Sequence, residues 1–257
     1  MAGVLRRKDL RPFANVRLLA YTSLMKGNEL SHVRAGSIDW ITFDCYGTLI
    51  DWEGGVARAL SPFLPPPVDR AALAARYITV EAAVEHESYR PYRDVLAAAS
   101  ARLMIELGHP LSPEHAKVLP DSLPRWRPFP EVPGALRFLR NAGYRLAILS
   151  NVDRDLLSAS IPLLGLEPDL TVTAEDCRSY KPALDHWNRF RALSGAGPER
   201  TVHIAASLFH DIVPATSLGY RTVFVNRHGA AVSGAAPTRT AGDLSSIGAI
   251  IDELAAA

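Results

Sequence analysis

IDWITFDCYGTL, residues 38–49, is the stretch of sequence that decides the fold. Its first six residues form a short and mostly apolar run, as a strand buried in a parallel sheet requires. The run ends directly in Asp44, and Gly47 then permits a tight turn. Open α/β sheets form their sites beyond the carboxyl ends of the strands, which is where this carboxylate would lie. Taken alone, Asp44 would more readily be a solvated loop residue that caps a turn.

Four further runs of the same kind follow, and helical patterns separate them. The helical pattern at residues 132–142 is closed by Gly143, and the one at residues 183–193 is opened by Pro182. Asp153 is placed to cap the helix that follows the second run. Strands that alternate with helices imply right-handed βαβ units, so we predict an α/β fold with a Rossmann-like, doubly wound parallel sheet. The four runs are residues 144–151, 170–174, 201–207 and 221–226.

One interval breaks this alternation. Residues 56–126 carry helical patterns and no strand pattern. We expect an all-helical cap domain here, inserted after the first strand and placed over the site. The α/β core then comprises residues 36–55 and 127–257. Residues 1–35 are basic and lack the sustained apolar segment of a targeting peptide, so we interpret them as a disordered N-terminal extension.

Composition narrows the classes of partner. Of the 257 residues 48% are hydrophobic and 21% are charged, so the chain can bury a sizeable core. A formal net charge of +1 gives no support for a nucleic-acid or acidic-membrane partner, and no apolar run approaches the length of a membrane span. Cys45 and Cys177 form neither a disulfide framework nor a metal-ligand spacing, which favours a reducing, cytoplasmic setting.

The ends of three further runs also carry polar side chains. Ser150 and Asn151 end the second run, Lys181 follows the third, and Asp211 follows the fourth. Each of them alone is typical of a helix cap or a surface residue. Because parallel strands present their carboxyl ends at one edge, the set predicts an assembled site around Asp44.

These motifs resemble those of the haloacid dehalogenase superfamily, and the resemblance covers about residues 38–227. All four motifs follow in order, as FDCYGTL, SN, YKP and the segment that ends in Asp211. The chain is most similar to the type II (S)-2-haloacid dehalogenases, which carry a helical cap after the first motif. The resemblance implies a hydrolase whose substrate is a small-molecule haloacid. It leaves the oligomeric state open, with a homodimer as one compatible form.

Two positions favour a dehalogenase over a phosphatase. The superfamily's phosphatases carry a second Asp two residues after the nucleophile to protonate an alkoxide, whereas Tyr46 stands here and a halide needs no proton. They also carry an acid in the fourth motif that holds Mg²⁺, where this chain has Ala206. We therefore expect no cofactor and no metal. A phosphatase with a weakened metal site and a non-catalytic, small-acid-binding descendant remain the alternatives.

The resemblance also implies roles for the residues of the site. Asp44 would attack carbon 2 of the substrate and displace halide, and water would hydrolyse the resulting aspartyl ester. Lys181 would keep Asp44 ionised, for charge balance rather than for folding. Asp211 would orient Lys181 or the hydrolytic water. Ser150 and Thr48 would bind the substrate carboxylate or Asp44 itself.

The resemblance places five further residues against the substrate: Asn151, Tyr46, Ser207, Arg76 and Trp187. Asn151 would face the departing halide, and Ser207 would replace part of a Ser-Ser-Asn cluster of the family. Arg76 would draw off the halide from the first cap helices, with an ordinary surface Arg as the alternative. Trp187 would line the pocket, with a core residue as the alternative.

Overall fold

The computed structural model describes residues 38–232, 234 and 236–256, so the predicted N-terminal extension lies outside the described residues. One sheet of six parallel strands forms the centre, in the order β3-β2-β1-β4-β5-β6. This is the order of a doubly wound α/β sheet, which confirms the predicted fold class. The strands are β1 (Trp40–Phe43), β2 (Arg145–Ser150), β3 (Leu170–Thr173), β4 (Thr201–Ala205), β5 (Arg221–Val225) and β6 (Arg239–Ala241).

The strands form where apolar side chains occupy both faces of the sheet. Every residue of β1 and of β4 is buried, as expected for central strands covered by helices on both sides. The predicted runs extend one or two residues past the carboxyl ends of the observed strands, mostly at polar residues such as Asp44, Asn151 and Ser207, because the chain leaves the ladder there. The sequence pattern does not indicate β6, since its first two residues are exposed.

Helices alternate with most of the strands of this sheet. Predicted and observed ends differ by one or two residues; α8, for example, begins at Asp185 because Ala183 N first donates to Tyr180 O in a turn, at 3.0 Å. Among the described residues the α-helices are α1 (Trp52–Leu60), α2 (Arg70–Glu85), α3 (Tyr92–Glu106), α4 (Val118–Ser122), α5 (Val132–Asn141), α6 (Arg154–Ser160), α7 (Ala174–Cys177), α8 (Asp185–Ser194), α9 (Val213–Ser217) and α10 (Ile247–Ala256).

Helices α1 to α4 all lie between β1 and β2 in the chain, and no strand of the sheet lies between those two. Helix α1 already begins at Trp52, because the Asp51 side chain caps it by accepting a hydrogen bond from Gly54 N at 3.0 Å. The division into a core and a cap domain at residues 56 and 126 stays a prediction. None of the described helices combines the length and the apolar character that crossing a membrane would need.

Asp153 precedes α6, but its side chain does not cap that helix. Its Oδ1 and Oδ2 atoms instead accept hydrogen bonds from Tyr92 N at 2.8 Å and Arg93 N at 3.0 Å, in the first turn of α3. Pro91, at the start of α3, offers no capping side chain of its own. Asp153 therefore caps α3 and not α6, and this contact attaches α3 to the loop after β2.

Candidate active site

The order of the strands reverses at β1, which lies between β2 and β4, and an open α/β sheet forms its crevice at such a point. A cavity of about 910 Å³ opens there. It is lined by all five polar residues that the strand ends predict: Asp44, Ser150, Asn151, Lys181 and Asp211. The topology therefore brings together residues that are far apart in the sequence.

Lys181 joins two carboxylates at the floor of this cavity. Its Nζ donates to Asp44 Oδ1 at 2.9 Å, to Asp211 Oδ1 at 2.6 Å and to Leu149 O at 2.8 Å. Burial alone would lower the pKa of Lys181, but the charges of Asp211 and Asp44 outweigh it and raise that pKa. Burial likewise opposes the ionisation of Asp211, yet Lys181 and then His203 hold its pKa well below the usual range. The ammonium and the Asp211 carboxylate are therefore both charged at neutral pH.

Thr48 fixes the second oxygen of the Asp44 carboxylate. Its Oγ1 donates to Asp44 Oδ2 at 2.7 Å and accepts from Ala206 N at 2.9 Å. Gly47 has a φ of +90°, which side chains rarely tolerate, so the turn that brings Thr48 back onto Asp44 requires glycine. Thr48 is fully buried and does not line the cavity. Of its two predicted roles, the geometry supports holding Asp44 rather than binding substrate.

His203 adds a layer of support that the sequence pattern does not reveal. It lies in the middle of β4, where its Nε2 is 3.1 Å from Asp211 Oδ1 and its Nδ1 is 2.9 Å from Thr42 Oγ1. Its side chain is completely buried. A buried strand His is most often a core residue, so only its partners identify it as part of the charge network below the cavity.

Ser150 is the last residue of β2 and Asn151 follows it, but their side chains differ in hydrogen bonding. Asn151 Oδ1 accepts from Lys181 N at 2.7 Å and its Nδ2 donates to Lys181 O at 3.0 Å, so this amide fixes the backbone that carries the ammonium. Ser150 Oγ has no hydrogen-bond partner, although the residue is only 1% exposed. Buried hydroxyls are seldom left unpaired, so Ser150 is available to a group that enters the cavity. The halide contact of Asn151 stays a prediction.

Tyr46 of the first motif and Ser207 and His210 of the fourth motif also line the cavity. The Tyr46 hydroxyl lies 2.7 Å from Ser160 Oγ, and burial raises the pKa of this phenol well above its usual value. Ser207 Oγ accepts from His210 N at 3.0 Å and so caps the segment Leu208–Ile212. Burial lowers the pKa of His210, which keeps its imidazole neutral at neutral pH. Because its hydroxyl is bonded to Ser160 and its pKa is so high, Tyr46 does not replace the general acid of a phosphatase.

Arg76 and Trp187 are not brought to the cavity, which corrects two predicted substrate contacts. Arg76 instead makes an exposed ion pair with Glu106, 2.8 Å from Nη2 to Oε2. Trp187 is fully buried, and its ring packs edge-on against His203 with centroids 5.4 Å apart. The spacing of residues along a helix does not tell which face lines a cavity. Arg76 lies on an exposed face of α2, and Trp187 lies on a buried face of α8 that packs against β4 instead of the cavity.

The cavity wall opposite these strand ends comes from helices that the motifs do not cover. Helix α2 contributes Glu81 and Glu85, and aromatic side chains surround them. The acidic pair stands at i and i+4 in the sequence VEAAVE, which is the one signal that could have indicated a shared face. Trp52, Tyr89 and Tyr92 are aromatic residues of this wall, and Tyr180 of the third motif lies against the rings of Tyr89 and Tyr92.

Comparison with known proteins shows that the chain is similar to haloacid dehalogenases in sequence and in structure. A family described as haloacid dehalogenase-like hydrolase matches residues 38–219. Haloacetate dehalogenase H-2 of Moraxella sp. (strain B) is 28% identical over 197 residues, which cover 75% of this chain and 87% of that protein. (S)-2-haloacid dehalogenase of Pseudomonas sp. (strain YL) is 27% identical over 198 residues, covering 75% and 84%. A crystal structure of an L-2-haloacid dehalogenase superposes with a TM-score of 0.76 at 25% identity, covering 84% of this chain and 99% of that one.

Proposed function

The chain belongs to the haloacid dehalogenase-like hydrolases, and on that premise we propose that it hydrolyses short 2-haloacids to 2-hydroxyacids through an ester on Asp44. One observation carries the proposal. The Asp44 carboxylate faces the cavity while Lys181 holds Oδ1 and Thr48 holds Oδ2. A carboxylate fixed in this way is oriented for attack on a carbon rather than free to rotate.

In the first step an Asp44 carboxylate oxygen forms a bond to carbon 2, and the carbon–halogen bond breaks as halide leaves with its electron pair. The halide is a weak base, so the step needs no proton donor, in agreement with the Tyr46 hydroxyl being bonded to Ser160. Ser150 Oγ, which has no partner in the protein, is placed to donate to the substrate carboxylate.

In the second step water attacks the Asp44 carbonyl carbon, and the bond from that carbon to the product oxygen breaks. One proton of the water passes to the departing oxygen, which becomes the product hydroxyl, and the other is released to solvent as Asp44 returns to its carboxylate. Lys181 stabilises the negative charge that develops on the carbonyl oxygen. Asp211 accepts from both Lys181 and His203 through Oδ1, which favours the role of orienting Lys181 over that of activating water.

We propose that the reaction is independent of metal. Asp211, the acid of the fourth motif, is already paired with Lys181, and the position of the family's other acid is Ala206. A phosphate dianion would therefore approach Asp44 without the cation that offsets their repulsion. Release of halide from (S)-2-chloropropionate should continue in excess chelator. Strictly Mg²⁺-dependent hydrolysis of phosphate esters would instead establish the phosphatase alternative.

A single turnover in ¹⁸O-labelled water, with enzyme in excess over (S)-2-chloropropionate, tests the covalent route. The label should appear in the peptide that contains Asp44, and the hydroxyacid should stay unlabelled, because the product oxygen comes from the original carboxylate. Label found directly in the product would make Asp44 a general base and refute the ester. A homodimer and a cytoplasmic setting stay predictions, and sedimentation of the purified protein tests the first.

A further inference from the structure

Two carboxyl groups of α2, Glu81 and Glu85, line the cavity that holds Asp44. They stand one helical turn apart and therefore on the same face of the helix. Glu81 Oε1 accepts a hydrogen bond from Tyr92 Oη at 2.7 Å. Across the described part of the chain, no Lys, Arg or His forms an ion pair with either of them.

The ammonium of Lys181 does not serve this pair. An ammonium has three N–H donors, and those of Lys181 are taken by Asp44, Asp211 and Leu149 O. Burial, followed by repulsion from Glu85, raises the pKa of Glu81 to about 8. Burial raises the pKa of Glu85 to about 7, although the charge of Lys181 opposes this. Within the described part of the chain, no ion pair therefore compensates the ionisation of these two acidic groups, although Arg178 and His86 also line the cavity.

An unpaired hydroxyl group indicates independently that this cavity is built for a ligand. Ser150 Oγ, on the strand side of the cavity, lacks a hydrogen-bond partner although Ser150 is only 1% exposed. A cavity of about 910 Å³ is also of the size that holds drug-sized ligands, well above the need of a three-carbon acid.

We propose that Glu81 and Glu85 bind a protonated amine at the far end of the substrate, so that the preferred substrates are 2-haloacids with a terminal ammonium group. Under this assignment, which rests on the proposed function, the haloacid end meets Asp44 and Ser150 while the amine end meets the α2 wall. The rings of Trp52 and Tyr92 on that wall add favourable contacts to a cation. A substrate with a second carboxylate would gain no such ion pair from Glu81 and Glu85.

Halide release from three substrates of similar length tests this assignment: 2-bromo-6-aminohexanoate, 2-bromohexanoate and 2-bromoadipate. We expect kcat/KM for the amine to exceed those for the alkyl acid and the diacid by about tenfold or more, as a hydrogen bond to a charged group provides. Glu81→Gln combined with Glu85→Gln should abolish the preference. The control is Glu87→Gln, because Glu87 does not line the cavity and pairs with Arg90.

Binding of a product-like probe separates failure of this inference from failure of the proposed function. By calorimetry, 6-amino-2-hydroxyhexanoate should bind about tenfold or more tightly than 2-hydroxyhexanoate, and the Glu81→Gln, Glu85→Gln variant should bind both alike. Halide release without any preference for the amine, together with equal binding of the two probes, would overturn the inference and leave the proposed function intact. Preferential amine binding without halide release from any substrate would support the amine site and refute the dehalogenase.

Discussion

At the scale of single residues, Lys181 determines the electrostatics of the site. It is 1% exposed and lies between two carboxylates that are themselves nearly inaccessible to water. A buried charge that loses its partner costs much more than the pair itself contributes. Lys181 was expected to matter for charge balance and not for folding. Its burial corrects this expectation, because the ion pairs with Asp44 and Asp211 that balance the charge of the site also stabilise the fold.

Lys181→Met should abolish activity, with a loss of about 3 kcal/mol or more of transition-state stabilisation. It should also lower the free energy of unfolding by about 3–5 kcal/mol, because Asp44 and Asp211 are left facing each other without a cation. Urea denaturation and halide release measure the two effects. Adding Asp211→Asn should recover part of the stability and none of the activity, and the exposed Lys117→Met is the matched control. An inactive Lys181→Met protein of unchanged stability would contradict this account.

His203 is a positioning residue, since it reaches the reacting atoms only through Asp211. His203→Phe should lower kcat about tenfold, the value of one hydrogen bond to a charged group, with KM nearly unchanged. His203→Gln keeps a donor near Asp211 and should restore most of kcat. If the Phe and Gln variants lose the same activity, His203 acts through packing against Trp187 and not through its hydrogen bond.

At the scale of elements, α2 and α3 supply the part of the cavity that the strand-end motifs do not describe. The inward face of α2 carries the two carboxyl groups, and its outward face carries Arg76 in an exposed pair with Glu106. Groups near the carboxyl pair come from three elements: Tyr77 from α2, Tyr92 from α3, and Tyr180 with Lys181 from the loop before α8. None of these side chains forms an ion pair with the carboxyl groups.

The α2 carboxyl pair should make the stability of the protein depend on pH. The pKa of Glu81 rises from 4.5 to about 8 and that of Glu85 from 4.5 to about 7 on folding. The folded protein therefore binds more protons than the unfolded chain between these values, so the free energy of unfolding falls as pH rises from about 5 to about 8. The Glu81→Gln, Glu85→Gln variant should show a smaller fall in thermal transition temperature across this range. A variant with the same slope as the unmodified protein and Glu87→Gln would show that the pair does not titrate there.

At the scale of the whole molecule, the site needs the helices between β1 and β2 to stay in place over the sheet edge. Hydrogen bonds from the loops after β2 and before α8 help to hold them there. The Asp153 carboxylate accepts from two N–H groups at the start of α3, and Tyr180 Oη donates to Arg90 O at 2.8 Å. Asp153 is 3% exposed, so its hydrogen bonds are not easily replaced by water.

Asp153→Ala should therefore lower the free energy of unfolding by about 1–3 kcal/mol, because two N–H groups at a helix N-terminus lose their acceptor. It should also reduce kcat/KM, since α3 carries Tyr92 on the cavity wall. Asp155→Ala is the matched control, because Asp155 is exposed and its ion pair with Arg93 should contribute at most about 1 kcal/mol. Equal losses in the two variants, measured by urea denaturation, would rule out a special role for the Asp153 contact.

The sequence alone determined the parallel sheet and the residues at its carboxyl edge. Short apolar runs are local patterns, and parallel topology then forces their ends together, so these patterns suffice to place Asp44, Ser150, Lys181 and Asp211 at one site. Only the tertiary structure decided which helix faces turn inward, because that depends on how each helix packs over the sheet. For this reason Arg76 lies outside the cavity while Glu81 and Glu85 line it. The roles of His203 and Asp153 were likewise invisible in the sequence, because a hydrogen bond to a distant partner leaves no local pattern.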